Sequence, residues 1–158
     1  MYHNPVKVIE TNNWIEECIK FQKKLRIKKP LIITSRGNLK RQKLFTAFHP
    51  NSIFSHVKAN PTFESCKTVI DFSLRSKFDG LIAIGGGSVM DTAKVVMASM
   101  ATGVNDVVEL LKINIPYNNI VPSIFIPTTH GTGSEVTMWG TVWDMKHGKK
   151  YSISNLDL

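Results

Sequence analysis

The sequence predicts an α/β fold: a parallel sheet with flanking helices and a C-terminal β-hairpin. Three features carry that expectation. Strand-like and helix-like segments alternate along the chain, the order that builds parallel sheets with helices on both faces. Two strand-like runs, Leu81–Ile84 and Ser123–Ile126, are almost continuously apolar, as strands covered on both faces must be. The last segment abandons the alternation and reads as two short β runs around a polar turn.

Taken in order, Trp14, Ile15, Cys18, Ile19, Phe21, Gln22 and Leu25 give one face of a helix over Trp14–Leu25, with Asn12 or Asn13 as its N-cap. Pro30–Thr34 is a short β-rich run. A second strand, Ile53–Val57, is closed by Asn60-Pro61. Phe63, Cys66, Val69, Ile70, Phe72 and Leu74 then mark a helix over Thr62–Lys77. Leu81–Ile84 runs directly into Gly85-Gly86-Gly87-Ser88 and a helix over Val89–Ala101. A shorter helix spans Asp106–Lys112, and the strand Ser123–Ile126 ends at Pro127-Thr128-Thr129. Val136–Trp143 and Lys150–Ile153 form the expected hairpin around Asp144–Lys149.

Size and composition exclude several classes. A chain of 158 residues with 42% hydrophobic content can bury a real core without disulfides or metal, and one domain is expected. Cys18 and Cys66 form no C-x-x-C pattern, so they read as free thiols in a reducing cytoplasm. No apolar run approaches the length of a membrane span, and the first residues lack a signal-peptide pattern, so neither membrane association nor export is expected. The net charge of +8 is concentrated in residues 1–50, which hold 11 Lys and Arg against 3 acids. The cluster Lys20–Lys29 falls on the first helix without a recognition motif or interleaved aromatics, so a solvated face is expected rather than a nucleic-acid partner.

Two loops carry chemistry. In Ile84-Gly85-Gly86-Gly87-Ser88-Val89-Met90-Asp91, glycines between a buried strand and a helix let the backbone turn sharply and present N–H groups where the helix dipole is positive, a site for a diphosphate. The spacing differs from the common dinucleotide fingerprint, since Met90 stands at the third glycine position, and no Walker sequence is present. The same residues also read as a plain helix start, with Ser88 as N-cap and Asp91 three residues on. The second loop, Pro127-Thr128-Thr129-His130-Gly131-Thr132-Gly133-Ser134-Glu135, offers four hydroxyls after another buried strand. Both loops are expected at the carboxyl ends of strands, where open α/β sheets bind ligands.

The stretches GGGSVMDTAK (residues 85–94) and PTTHGTGSEVT (residues 127–137) resemble the two signature segments of the iron-containing (group III) alcohol dehydrogenases, relatives of the glycerol and lactaldehyde dehydrogenases. Asn60-Pro61-Thr62 and Lys150 fit the same pattern. The resemblance implies a Rossmann-like NAD(P)-binding domain over residues 1–158 and hydride transfer between a nicotinamide cofactor and a small alcohol or aldehyde. It implies that Gly86, Gly87 and Ser88 hold the diphosphate of NAD or NADP, and that Asn60 lies near the adenine-side ribose. Asp91 would approach the nicotinamide end, Thr128, Thr129, Thr132 and Thr137 would line the groove, and Lys150 would reach the nicotinamide ribose. Replacing Gly86 or Gly87 by Val is expected to abolish binding, through lost space and through a positive φ.

Three departures stand out. Ser35, followed by Arg36, occupies the place where the family often carries an Asp for the adenosine ribose, which leaves NADP open as well as NAD. His130 stands where a small residue is usual and reads as a loop residue. The family's α-helical second domain, whose Asp and three His bind Fe or Zn, is absent from this sequence. The chain's own His3, His49, His56, His130 and His147 have no metal-ligand spacing. The chain therefore reads as a truncated cofactor half, inactive alone, expected to be cytoplasmic and homo-oligomeric. The alternative is a stand-alone nucleotide-binding or regulatory module. The segment Thr141–Asp144 with Lys149–Ser152 resembles the phosphonoacetaldehyde reductase branch, and an anionic aldehyde would suit the basic charge.

Overall fold

The computed structural model describes residues 6–112, 117, 119–155 and 158. Helix α1 (Trp14–Lys24) starts at Asn13, whose side chain accepts the Glu16 amide at 3.4 Å. Glutamates in its first turn and lysines in its last suit the helix dipole. Strand β1 (Pro30–Thr34) is buried throughout. A short helix that the sequence pattern does not announce, α2 (Arg36–Arg41), follows at once; Ser35 caps it by accepting the Asn38 amide. Strand β2 is only Ile53–Phe54, shorter than the expected Ile53–Val57. Beyond it the Val57 amide still reaches the Thr34 carbonyl at 3.2 Å, outside the ladder.

Helix α3 (Phe63–Ser73) has a capping box in which Thr62 and Ser65 bond each other's backbone amides. It ends earlier than expected, at a C-cap on Leu74, which is 60% exposed and not part of the apolar face. Strand β3 (Gly80–Gly85) leads into α4 (Gly87–Thr102), and α5 (Val107–Lys112) follows. Strand β4 (Ser123–Pro127) precedes a single 3-10 turn, Ser134–Val136, where the pattern had suggested the start of a strand. The hairpin is therefore shifted, to β5 (Trp139–Asp144) and β6 (Lys149–Ser154). Asp144 sets its turn by accepting the Lys146 and His147 amides at 2.9 and 3.2 Å.

The four parallel strands lie in the order β2-β1-β3-β4, with the hairpin as a separate two-stranded sheet. Alternation along the strands divides the core. Leu31, Ile33, Leu81 and Ala83 face α3, α4 and the hairpin, whereas Ile32, Ile82 and Ile84 pack with Cys18, Leu44 and Phe48 on the other face. This is a three-layer α/β domain. At the amino end of the sheet, the Asp79 carboxylate accepts the Lys28 and Lys29 amides, the latter at 2.7 Å, which fixes where β1 enters beside β3. At the other end, Thr34 pairs in register with Ile84, and Gly85 with Pro127. The loops leaving β1, β3 and β4 therefore emerge side by side. The strand order reverses between β1 and β3, which is where such sheets open a ligand crevice.

Candidate functional site

Helix α4 starts from Gly86, an N-cap with φ −91° and no side-chain cap. Ser88 is thus inside the first turn rather than the cap, and no capping box forms with Asp91. The first amides of any helix lack intrahelical acceptors, so this turn faces the carboxyl edge with donors and the positive end of the dipole. Neither Gly86 nor Gly87 has a positive φ. Glycine is needed there for space instead: a Cβ on Gly86 would sit 2.8 Å from the Thr129 hydroxyl, and one on Gly87 3.1 Å from the Thr132 methyl. The threonine loop thus lies directly over the glycine turn, with the Thr129 and Thr132 side chains packed against it.

Asn60 is close by. Its backbone is left-handed, with φ 55°, and its amide donates to the Ser88 hydroxyl at 3.1 Å. Thr128 is held from two sides: its amide donates to the Gly85 carbonyl at 2.9 Å, and its hydroxyl accepts Asn38 Nδ2 at 3.3 Å. Asn38 is almost fully buried, and the same amide nitrogen reaches the Ile84 carbonyl, while its oxygen accepts Arg41 at 2.8 Å. Thr34 also donates to the Ile84 carbonyl, at 2.7 Å. The crevice between β1 and β3 therefore has a polar floor made by residues that sequence reasoning did not select.

Asp91 faces the second loop, where it accepts the Ser134 hydroxyl at 3.2 Å. Burial pushes its carboxyl above the ordinary value of 3.8, while Ser134, the Lys94 ammonium, the Thr141 backbone amide and Lys150 hold it down. Lys94, one turn further along α4, is 1% exposed. Its ammonium donates to the Ser134 carbonyl at 2.7 Å, the Trp139 carbonyl at 2.9 Å and the Thr137 hydroxyl at 3.1 Å, and also to the Thr137 carbonyl. Burial lowers it from 10.5 to about 8 against the pull of Asp91 and Glu135. One carboxylate oxygen of Glu135 is buried without a hydrogen-bond partner among the described residues. Lys150 is exposed on β6, with its ammonium 5.9 Å from the centre of the Trp143 ring.

The structure thus gathers Asn60, Gly86, Gly87, Ser88, Asp91 and Thr128, Thr129, Thr132 and Thr137 at one edge, with Lys150 on the adjoining hairpin. Lys94, Asn38 and Ser134 were missed. A single lysine inside the apolar stretch Val89–Met100 was the available signal for the first. His130 is exposed on the loop, and His3 lies outside the described residues. His147 pairs with Asp144 at 2.6 Å on the hairpin turn. Among the described residues no three His, Cys, Asp or Glu side chains come together as metal ligands. None of their helices is long and apolar enough to cross a membrane.

The sequence profile described as iron-containing alcohol dehydrogenase matches residues 5–158. The mitochondrial hydroxyacid-oxoacid transhydrogenase of Caenorhabditis elegans is 38% identical over 90 residues, which is 54% of this chain and 19% of that protein. The sulfoacetaldehyde reductase of Bilophila wadsworthia is 28% identical over 160 aligned positions, 97% of this chain and 41% of that protein. The crystal structure of sulfoacetaldehyde reductase from Bifidobacterium kashiwanohense in complex with NAD+ superposes with a TM-score of 0.83 at 22% identity, over all of this chain and 44% of that one. At that identity the likeness is one of fold. The chain spans less than half the length of these relatives.

Proposed function

The chain belongs to the iron-containing alcohol dehydrogenase family, and from that premise we propose that it is the NAD(P)-binding half of an oxidoreductase acting on a small alcohol or aldehyde. The observation that carries this reading is the stacking of the threonine loop on the glycine turn, with Thr129 over Gly86 and Thr132 over Gly87. A diphosphate fits a helix N-terminus whose first residues, Gly86 and Gly87, carry no Cβ. In this reading Gly86, Gly87 and Ser88 hold the diphosphate, with Asn60 beside the adenine-side ribose. Thr128, Thr129, Thr132 and Thr137 line the groove. Asp91 lies towards the nicotinamide and Lys150 towards its ribose. When bound, the nicotinamide supplies the hydride-carrying carbon; this chain binds and orients it and excludes water from one side.

Ser35 caps α2 beside the crevice, and Arg36 follows it on the exposed surface. With no carboxylate there to repel a 2′-phosphate, both NAD and NADP are accepted. The described residues do not fit a catalytic metal, and this chain by itself is proposed to give no turnover. The likeness to a sulfoacetaldehyde reductase along nearly the whole chain supports an anionic aldehyde as substrate. The two buried, unbridged thiols support a cytoplasmic location, and the place of β4 at the edge of the sheet among the described residues supports association between copies.

Fluorescence titration with NADH and NADPH tests the binding claim, and saturable binding of either is expected. Absence of binding by either nucleotide overturns it. Metal analysis and a reduced-nicotinamide absorbance assay on the same sample test the rest: stoichiometric Fe or Zn with turnover that chelators remove would place the reaction in this chain alone. Nucleotide binding by a natural polypeptide that has no dehydrogenase activity would favour the stand-alone nucleotide-binding module.

A further inference from the structure

A cation buried among apolar residues is costly unless its donors are all used. On α4, Val89, Met90, Ala93, Val95, Val96, Met97 and Ala98 are all buried core residues, and Lys94 is buried among them. Its three N–H donors are shared by four oxygens, and every one of these belongs to residues 134–139. Those residues connect the threonine loop to β5. Among the described residues no oxygen of α4 itself and no carboxylate is hydrogen-bonded to it, so its donors are spent on the loop while Asp91 and Glu135 act on it only at longer range.

The partners are mostly backbone carbonyls. A lysine that bonds side chains could be served by several loop shapes, whereas carbonyls of Ser134, Thr137 and Trp139 converge on one nitrogen only when the backbone between them is bent in one way. The loop has that bend: it passes Gly133 at φ 62° into the 3-10 turn, then extends at Thr137. Asp91 adds a second tie one turn earlier on the same helix, through the Ser134 hydroxyl. Close approach is built in as well. A Cβ on Gly140 would lie 3.0 Å from the Asp91 carbonyl and 3.1 Å from Lys94 Cβ, so β5 is pressed on the helix where the lysine stem leaves it.

We propose that Lys94 is a positioning residue for nucleotide binding: by gathering the carbonyls of Ser134, Thr137 and Trp139 it presets the threonine loop over the glycine turn before any ligand arrives. The inference rests on reading those two loops as the cofactor cradle. Helix α4 then does two things at once. Its N-terminus faces the diphosphate, and its second turn fixes the opposing wall of the groove, so the two walls move as one body. A loop already ordered spares the ligand the entropy of ordering it, which is the general source of affinity by preorganisation.

The test uses the full natural polypeptide that carries this chain, titrated with NADH and NADPH, together with amide hydrogen exchange. In the wild type without nucleotide, the Val136 amide, which donates to Gly133 at 3.0 Å, is expected to be protected already. Exchange that becomes slow only when nucleotide is added overturns the inference, and this measurement needs no variant. Lys94→Met keeps the stem and removes the donors. It is expected to speed exchange across residues 131–137 while β1 and β3 stay protected, and to weaken nucleotide binding at least 10-fold. Lys94→Arg, which restores charged donors, is expected to recover part of the affinity. A folded Lys94→Met protein with wild-type affinity, or an Arg variant no better than Met, overturns it. Wild-type protein that binds neither nucleotide overturns the underlying reading of the cradle, a result distinct from both.

Discussion

The Asn60 amide donates to the Ser88 hydroxyl at 3.1 Å, so the loop after β2 is tied to the first turn of α4 across 28 residues of sequence. Asn60 pays for this with a left-handed backbone, a conformation that asparagine tolerates better than most residues. Ser88→Ala removes the acceptor at a partly exposed site and is expected to cost about 1 kcal/mol of stability. If the tie also places Asn60 for a ribose, nucleotide affinity falls several-fold in the same variant. Urea unfolding and NADH titration on one preparation measure both, and unchanged affinity would remove the Ser88 hydroxyl, and the placing of Asn60 through it, from nucleotide binding.

Gly86→Val separates fold from function. The new Cβ meets the Thr129 hydroxyl at 2.8 Å, and Thr129 is an exposed side chain that can turn away. Loss of a favourable N-cap adds about 1 kcal/mol. The protein is therefore expected to fold, with a melting temperature lowered by a few degrees, while the valine fills the space over the helix N-terminus and nucleotide binding disappears. Retained binding in a folded Gly86→Val protein would show that the diphosphate lies elsewhere.

Ser35 offers a test of cofactor choice. It caps α2 through its hydroxyl, and aspartate caps as well as serine, so Ser35→Asp is expected to leave stability within about 0.5 kcal/mol. The added carboxylate can accept ribose hydroxyls and repels a 2′-phosphate. The ratio of NADPH to NADH affinity should fall at least about 10-fold. A ratio unmoved by this charge would place the adenosine ribose away from the end of β1.

The cysteines predict a pH dependence. Burial pushes the Cys18 thiol from 9.0 to about 11 and the Cys66 thiol from 9.0 to about 12. Both folded values lie above the unfolded one, so the unfolded chain releases protons first as pH rises. Their contribution is intact below pH 9 and is lost progressively towards pH 11 and beyond. Lys94 acts in the opposite sense, since its folded value of about 8 lies below 10.5 and stability gains between those limits. Comparing the wild type with Cys18→Ala/Cys66→Ala cancels the lysine: the difference in unfolding free energy should shrink as pH rises from 9 to 10.5. A constant difference would mean that the thiols ionise equally in both states.

Legibility in the sequence followed burial. β1 and β3 could be read because strands enclosed on both faces leave runs such as Leu81–Ile84; β4 carries a similar apolar run although it is only half-buried, and the glycine turn could be read because its residues are set by local geometry. Helix α2 could not: in Arg36-Gly37-Asn38-Leu39-Lys40-Arg41 only Leu39 is apolar, and the segment is helical because Ser35 caps it and Asn38 is bonded into the sheet. The start of the hairpin was misplaced for a similar reason, since the strand expected from Val136 begins only at Trp139, after a segment that Lys94 holds through Ser134, Thr137 and Trp139. Of the site, the two loops were legible. Their fastening was not, because Asn38 and Lys94 reach the site through partners 40 to 90 positions away.

The strand order also sets a timetable for synthesis. β1 takes its full-length partner from β3, so Pro30 waits for Gly80 and Thr34 for Ile84, while β2 offers it only two residues in the meantime. At about 5–20 residues per second on the ribosome, that wait lasts roughly 3–10 seconds. Throughout it the run Leu31-Ile32-Ile33 has an unpaired edge and lacks the cover of α4. The nascent chain is most open to mispairing or chaperone capture in that interval, and it closes as the glycine turn itself leaves the exit tunnel.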